Sequence, residues 1–281
     1  MAINNNTIFT LWVEGKLDDL TITSIKSWIN LGYNIELFMY GAPDESDWVV
    51  FKEHVQFLDA SQVVEKPDCN FYAEMADYFR FTKLLKEGGT WVDSDLILLK
   101  RLPEEQEIII SSERCKKFGA YTPKGRDKTP NIGTLRFPAN HPLMVHTVKI
   151  CKKRIAKGII ENNCSNNALM KIFQTEILKK KELYWELVSE PDVYCPINWS
   201  YAKELYTSDD TYIIPKFGTG AGFKFGMEQK TLSWVLDNSI GIHLWRNLFH
   251  TRNYRKLMTN NCVYNQLKEM IESRYKSRLL M

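Results

Sequence analysis

The chain has 281 residues, 44% of them hydrophobic and 12% aromatic, enough to bury a sizeable core as one large domain or two small ones. Lysine plus arginine (37) barely exceed aspartate plus glutamate (34), so a net charge of +3 gives no electrostatic case for nucleic acid as a partner. The six cysteines are scattered, with no Cys-x-x-Cys pair and no Cys/His cluster at zinc spacing, and read as buried or free thiols.

Residues 1–15, MAINNNTIFTLWVEG, lack the basic region and long apolar stretch of a signal peptide. No apolar run elsewhere approaches the roughly 20 residues of a spanning helix, and a cytoplasmic location is expected. Along the chain, β-branched and apolar runs alternate with helical patterns, an α/β signature without internal repeats. TIFTLWV (7–13) is a predicted strand. The next segment places Ile22, Ile25, Trp28 and Ile29 on one helical face and stops at Gly32, and NIELFMYG (34–41) is a second strand. This βαβ opening lacks both the Gly-x-Gly-x-x-Gly and the P-loop fingerprints.

Residues 71–89, FYAEMADYFRFTKLLKEGG, repeat apolar residues at helical spacing (Ala73, Ala76, Phe79, Leu84 or Leu85) and end at a glycine pair. Asp77 and Arg80 lie three apart and share a face of this helix, as a surface ion pair or as two groups turned toward one ligand. The helix runs into GGTWVDSDLILLK (88–100), where Asp93 and Asp95 stand one residue apart at the end of an apolar strand. Residues i and i+2 of a strand project to the same side, so the two carboxylates repel unless a cation lies between them or the chain turns. Oxygen ligands of this kind suit Mg²⁺ or Mn²⁺.

A helix bearing Asp and Arg, a Gly-Gly pair, an aromatic, Asp-x-Asp and an apolar run together resemble the sugar-nucleotide-binding region of the Asp-x-Asp glycosyltransferases of family 32, relatives of the glucosylating domains of large bacterial toxins. The match is strongest over 70–100, with echoes in IFTLWVEGK (8–16) and SIGIHLWRN (239–247). The resemblance implies a GT-A-like α/β fold, a single catalytic domain over 1–250 with a mixed central sheet flanked by helices, and a C-terminal helical extension over 251–281 packed on it. It implies a metal-dependent, retaining transfer of a hexose or N-acetylhexosamine from a nucleotide-sugar, a UDP-sugar first, to a glycan or lipid-linked acceptor, as in polysaccharide biosynthesis.

Roles follow from the same resemblance. Asp95 would ligate Mn²⁺ (or Mg²⁺) directly, Asp93 would approach the metal and the ribose or sugar, and His243 would be a further ligand. Asp77 and Arg80 match positions that hold the donor sugar and diphosphate, Trp12 the aromatic that packs on the base, and Trp245 a residue closing over the diphosphate or sugar. Trp91 fits core packing beneath the site.

In TPNIGTLRFPANHPLM (129–144), Asn131 either faces donor and acceptor or holds a turn after Pro130. Where many relatives have Thr-Gly-Pro, this chain has NNCSNNALM (162–170), with Asn167 as the acceptor-side candidate. The glycine-rich KFGTGAGFKFG (216–226) reads either as a loop that folds over bound donor or as an ordinary surface loop. The basic C-terminal helix (265–281) carries Leu267, Met270, Ile271 and Tyr275 on one side, for packing on the domain or for peripheral contact with an anionic membrane. Two rival classes share parts of this pattern: a non-catalytic nucleotide- or carbohydrate-binding protein with a degenerate transferase fold, and an Asp-x-Asp phosphatase. In the phosphatase the motif lies near the N-terminus and continues with Gly and Thr, which DSDLILL does not.

Overall fold

The computed structural model describes residues 4–13, 15–66, 72–114, 128–157, 168–209, 211–216 and 226–280, with backbone alone over 211–216 and 226–230. Strand β1 (Thr7–Trp12) leads to helix α1 (Asp19–Asn30) and strand β2 (Asn34–Met39), then to α2 (Glu45–Phe51) and β3 (Val55–Asp59). Asp18 caps α1 by accepting the Thr21 amide at 2.9 Å, and Gly32, at φ +78°, ends that turn of the chain as the sequence predicts. Ile25, Trp28 and Ile29 are the buried face.

Helix α3 (Tyr72–Glu87) runs into β4 (Gly89–Val92). Its stop is steric as well as conformational: Gly88 has φ +71°, and a Cβ there would lie 2.6 Å from the Ala139 amide nitrogen. The helix is buried on more sides than the predicted face. Phe79 and Leu84 are in the core, but Ala73 is exposed and Glu74 is buried in its place. The reason is a neighbouring helix, α5 (Ala168–Lys179), which follows α4 (Pro142–Ile155) in the chain. The Glu74 carboxylate accepts the first amides of α5, from Ala168 at 2.7 Å and Leu169 at 3.0 Å, where the helix dipole favours negative charge.

After β4 come β5 (Leu96–Leu98), β6 (Ile109–Arg114) and β7 (Lys128–Phe137). Beyond α5 the chain forms α6 (Lys181–Tyr184), α7 (Pro191–Tyr194), α8 (Glu204–Thr207), β8 (Thr211–Lys216), β9 (Gly226–Thr231), α9 (Leu232–Asn238), β10 (Gly241–His243), α10 (Arg246–Thr251) and α11 (Val263–Leu279). The six-stranded sheet has the order β3-β2-β1-β4-β7-β6. Its first four strands are parallel, β7 runs antiparallel to them and β6 antiparallel to β7, which makes the mixed α/β sheet flanked by helices that the sequence implies.

Alternation along β1 sets the two layers of the core: Phe9 and Leu11 face Phe38, Phe79, Trp91 and Phe137, while Ile8 and Trp12 face Trp28, Ile35 and Leu37. A third apolar cluster joins Leu205, Tyr206, Val235, Ile242 and Leu244 to Leu267 and Ile271 of α11. Helix α11 therefore spends its apolar side on the protein itself, with Lys268 paired to Asp19 and Lys26 to Glu272 at its edges. The three described cysteines, Cys151, Cys195 and Cys262, are buried free thiols. Among the described residues no helix is long and apolar enough to cross a membrane.

Candidate active site

Between β4 and β5 the chain leaves the large sheet and joins a second, two-stranded one with β10. Asp93 and Asp95 sit at that switch, in a turn closed by the Leu96 amide donating to the Asp93 carbonyl at 3.0 Å. The turn lies beyond the carboxyl end of β4, beside the end of β1, the position where open α/β sheets hold ligands. On the other side, β10 pairs antiparallel with β5 and sets His243 opposite Leu96. The Leu244 amide donates to the Asp95 carbonyl at 2.8 Å, so the C-terminal segment is stitched directly to the acidic turn.

A bulge in β7 supports the turn from below. Ile110 pairs with Leu135 but Ser112 pairs with Pro130, so β7 carries extra residues between these points. Asn131 fills the gap: its Oδ1 accepts the Gly133 amide at 2.6 Å and its Nδ2 donates to Glu113 at 3.2 Å. Asn131 thus lies inside a ten-residue strand and not in a turn after Pro130. The carbonyls this bulge frees are used by the site. The Asp93 amide donates to the Gly133 carbonyl at 2.8 Å, and Arg80 Nη1 donates to that of Ile132 at 2.6 Å.

Arg80 organises the buried side. Its Nη1 donates to Asp93 Oδ1 at 2.8 Å, its Nη2 lies 3.1 Å from Asp77, and its guanidinium rests 4.4 Å from the Trp91 ring centre. Trp91, buried as expected, adds a hydrogen bond from Nε1 to the same Asp93 oxygen at 2.7 Å. One oxygen of Asp93 is thereby fully engaged, and the other, Oδ2, faces His243 Nε2 at 3.8 Å. Asp95 Oδ1 lies 3.2 Å from the same nitrogen, and Asp95 Oδ2 accepts the Arg246 amide at 2.7 Å.

The charges explain how two carboxylates share one turn. Burial alone would raise the Asp95 pKa, but the His243 charge, its hydrogen bond and Arg246 hold it well below the usual carboxylate range. Burial opposes charge on His243, and Asp95 overrides it and raises the imidazole well above its ordinary value. Positive charge on His243 offsets the two carboxylates, and the same nitrogen becomes a metal ligand only on giving up its proton. Burial pushes Asp77 up to about 7 against the pull of Arg80, and pushes Glu113 up to about 7 against its Asn131 hydrogen bond. One oxygen of Asp93, one of Asp95 and a nitrogen of His243 lie within 4.8 Å of one another. Two carboxylate oxygens and an imidazole nitrogen, all converging, fit a divalent ion such as Mn²⁺.

Aromatic residues flank the cluster. Trp245 lies against His243 with ring centres 4.1 Å apart and planes tilted by 38°, and donates from Nε1 to the Ile197 carbonyl at 2.9 Å. Its backbone is left-handed (φ 57°), a conformation that costs a non-glycine residue about 1–2 kcal/mol. Trp12 is 9% exposed, donates to the Gly15 carbonyl, and carries the Arg246 guanidinium on its ring at 4.4 Å. Asp77, Arg80, Asp93, Asp95 and His243 are thus gathered at one point, with Trp12, Trp245 and Asn131 around it. Asn167, residues 162–167 and residues 217–225 lie outside the described residues.

Residues 18–115 match the family model described as a glycosyltransferase sugar-binding region containing a DXD motif. The matched span holds α1 to β6, so it includes Asp77, Arg80, Asp93, Asp95 and Glu113 but not His243, Trp245 or Arg246. No curated protein matches the chain. Among solved structures it is similar to the PaToxG glycosyltransferase, at 17% identity and a TM-score of 0.46 over 65% of this chain and 72% of that one. It is also similar to the UDP-bound glycosyltransferase domain from the YGT toxin (10% identity, TM-score 0.41, covering 93% and 81%). A third is the glycosyltransferase GlyE of Streptococcus pneumoniae TIGR4 (19% identity, TM-score 0.40, covering 66% of this chain and 45% of that one).

Sequence reasoning missed three residues of the DXD site. Glu113 lies next to last in the strand IISSER, Gly133 hides in a strand pattern, and Arg246 follows Trp245 in HLWRN, where its positive charge next to the aromatic was the one readable signal.

Proposed function

We propose that this protein is a metal-dependent glycosyltransferase that moves a hexose or N-acetylhexosamine from a nucleotide-sugar, a UDP-sugar first, to a glycan or lipid-linked acceptor with retention of configuration. The observation that carries the reading is the convergence of Asp93, Asp95 and His243 at the end of the matched DXD region. In this reading the three residues hold Mn²⁺ or Mg²⁺, which when bound supplies Lewis-acid neutralisation of the leaving diphosphate.

The remaining work falls to the chain. Arg80 keeps Asp93 oriented by a charge-assisted hydrogen bond and adds positive potential beside the leaving group. Asp77 and Asn131 border the donor sugar, Trp12 receives the base, and Trp245 covers the diphosphate. The anomeric carbon–oxygen bond to the diphosphate breaks, the acceptor hydroxyl oxygen bonds to that carbon on the same face, and its proton passes to a diphosphate oxygen. The products are the glycoside and the nucleoside diphosphate. Residues 1–250 act as one catalytic unit, with 251–281 as a helical extension seated on it. The setting we propose is the cytoplasm, with peripheral membrane contact through the exposed basic residues Arg274, Lys276 and Arg278 of α11. Flotation with anionic liposomes at low salt checks that contact, and protein left wholly in solution removes it.

The test is a donor screen. UDP- and GDP-sugars are incubated with the protein, with and without Mn²⁺, and nucleotide release is recorded for wild type and Asp95→Asn. Expected is metal-dependent release from one donor that vanishes in the variant while its thermal unfolding stays cooperative. Nucleotide binding without any turnover would favour a degenerate binding protein. Full activity in Asp95→Asn would overturn the assignment.

A further inference from the structure

Arg246 stands apart from the residues assigned so far. Its backbone is fixed to the acidic cluster, because its amide donates to Asp95 Oδ2 at 2.7 Å. Its side chain is 35% exposed, and among the described residues its nearest paired carboxylate oxygen, on Asp18, is 3.9 Å away and already accepts from His250 at 3.0 Å. The guanidinium lies instead on the Trp12 ring, 4.4 Å from its centre. Trp12 is otherwise enclosed, packed among Ile8, Leu37 and Met39 with its Nε1 on the Gly15 carbonyl. Arg246 thus occupies a face of that ring on which a nucleobase could stack.

We propose that Arg246 is a phosphate-binding residue of the donor site: its guanidinium, which lies on Trp12, yields the ring to the base and turns to the donor diphosphate. The inference rests on the glycosyltransferase reading above. An exposed cation–π contact is weak enough to exchange, and a planar guanidinium matches two phosphate oxygens at once. The anchored amide keeps the side chain's pivot beside Asp95 through the exchange. Arg80 is poorly placed for this task, being 5% exposed with both terminal nitrogens committed to Asp77, Asp93 and the Ile132 carbonyl.

The experiment measures affinities for UDP, GDP, uridine and guanosine in the presence of Mn²⁺ for wild type, Arg246→Ala and Arg246→Lys, the nucleosides by competition. Arg246→Ala is expected to weaken the preferred diphosphate roughly tenfold or more, the loss of a charged hydrogen bond, while the matching nucleoside binds as well or better. Arg246→Lys, which keeps the charge but loses the planar fork, is expected to show the same pattern at a smaller factor, and carries the test if the alanine variant does not fold. Equal factors for diphosphate and nucleoside, or no change in either, would mean that Arg246 only packs on Trp12, and the inference falls while the function stands. Wild type that binds neither diphosphate overturns the donor site itself, and the inference with it.

Discussion

At the scale of single residues, the site depends on how closely uncharged groups approach the charged ones. A Cβ added at Gly133 would come within 2.9 Å of Asn131 Oδ1 and 3.3 Å of Asp93 Oδ2, tighter than either atom tolerates without moving. Gly133→Ala should therefore displace the Asn131 amide and tilt Asp93. Metal-dependent nucleotide binding is expected to fall about tenfold or more for a shift costing ~1.4 kcal/mol, and titration calorimetry with Mn²⁺ checks it. Glu113 makes a second prediction. Its folded pKa of about 7 lies above the unfolded value of about 4.3. The native state then binds more protons between those two values, so the stability this group contributes is complete below the lower one and is lost as pH rises through the upper one. Glu113→Gln should flatten that slope, gaining melting temperature relative to wild type at pH 8 and losing the advantage at pH 5. The effect is bounded by about 1.4 kcal/mol for each pH unit that separates the folded and unfolded values, and melts recorded across the range would expose a parallel pair of curves if the carboxyl were unperturbed. Asp77, Arg80, Asp93 and Asp95 were legible because local spacing brings them together, three apart on a helix and two apart at a strand end. Glu113 and Gly133 were not, since nothing near them in the chain signals the bulge that turns them inward.

At the scale of elements, the strands and helices that sequence patterns announce are those with a steady period: β1, α1, β2 and α3 appear where the alternation and the glycine stops place them. What period cannot show is which neighbour a helix serves. Helix α3 departs from its predicted face because Glu74 turns inward to cap α5, about ninety residues later in the chain. Helix α11 shows the converse. Its apolar stripe was readable, and the structure shows the protein's own core taking it up, with Leu267 fully buried. Leu267→Ala should cost about 2–5 kcal/mol, as core truncations do. Leu267 shares its cluster with Leu244, whose amide bonds the Asp95 carbonyl, so nucleotide binding by the folded fraction is expected to weaken as well. Denaturant unfolding with and without UDP and Mn²⁺ separates the two effects.

At the scale of the whole molecule, the site is a seam between the DXD region and a segment far downstream. The family match ends at residue 115, yet two of the groups that hold Asp95 belong to His243 and Arg246. The α/β class and the central motif could be read from the sequence, while the closing of the seam depends on the antiparallel pairing of β10 with β5, which no local pattern specifies. Donor binding should accordingly protect both sides at once. Hydrogen exchange with UDP and Mn²⁺ is expected to slow around residues 91–96 and 241–247 together, and protection confined to the first segment would count against a shared site. The partners of Asp95 stand 148 and 151 positions beyond it. During synthesis, the acidic turn leaves the ribosome long before the groups that neutralise it, so translation interrupted anywhere in between releases a fragment with the carboxylates in place and neither His243 nor Arg246 to meet them.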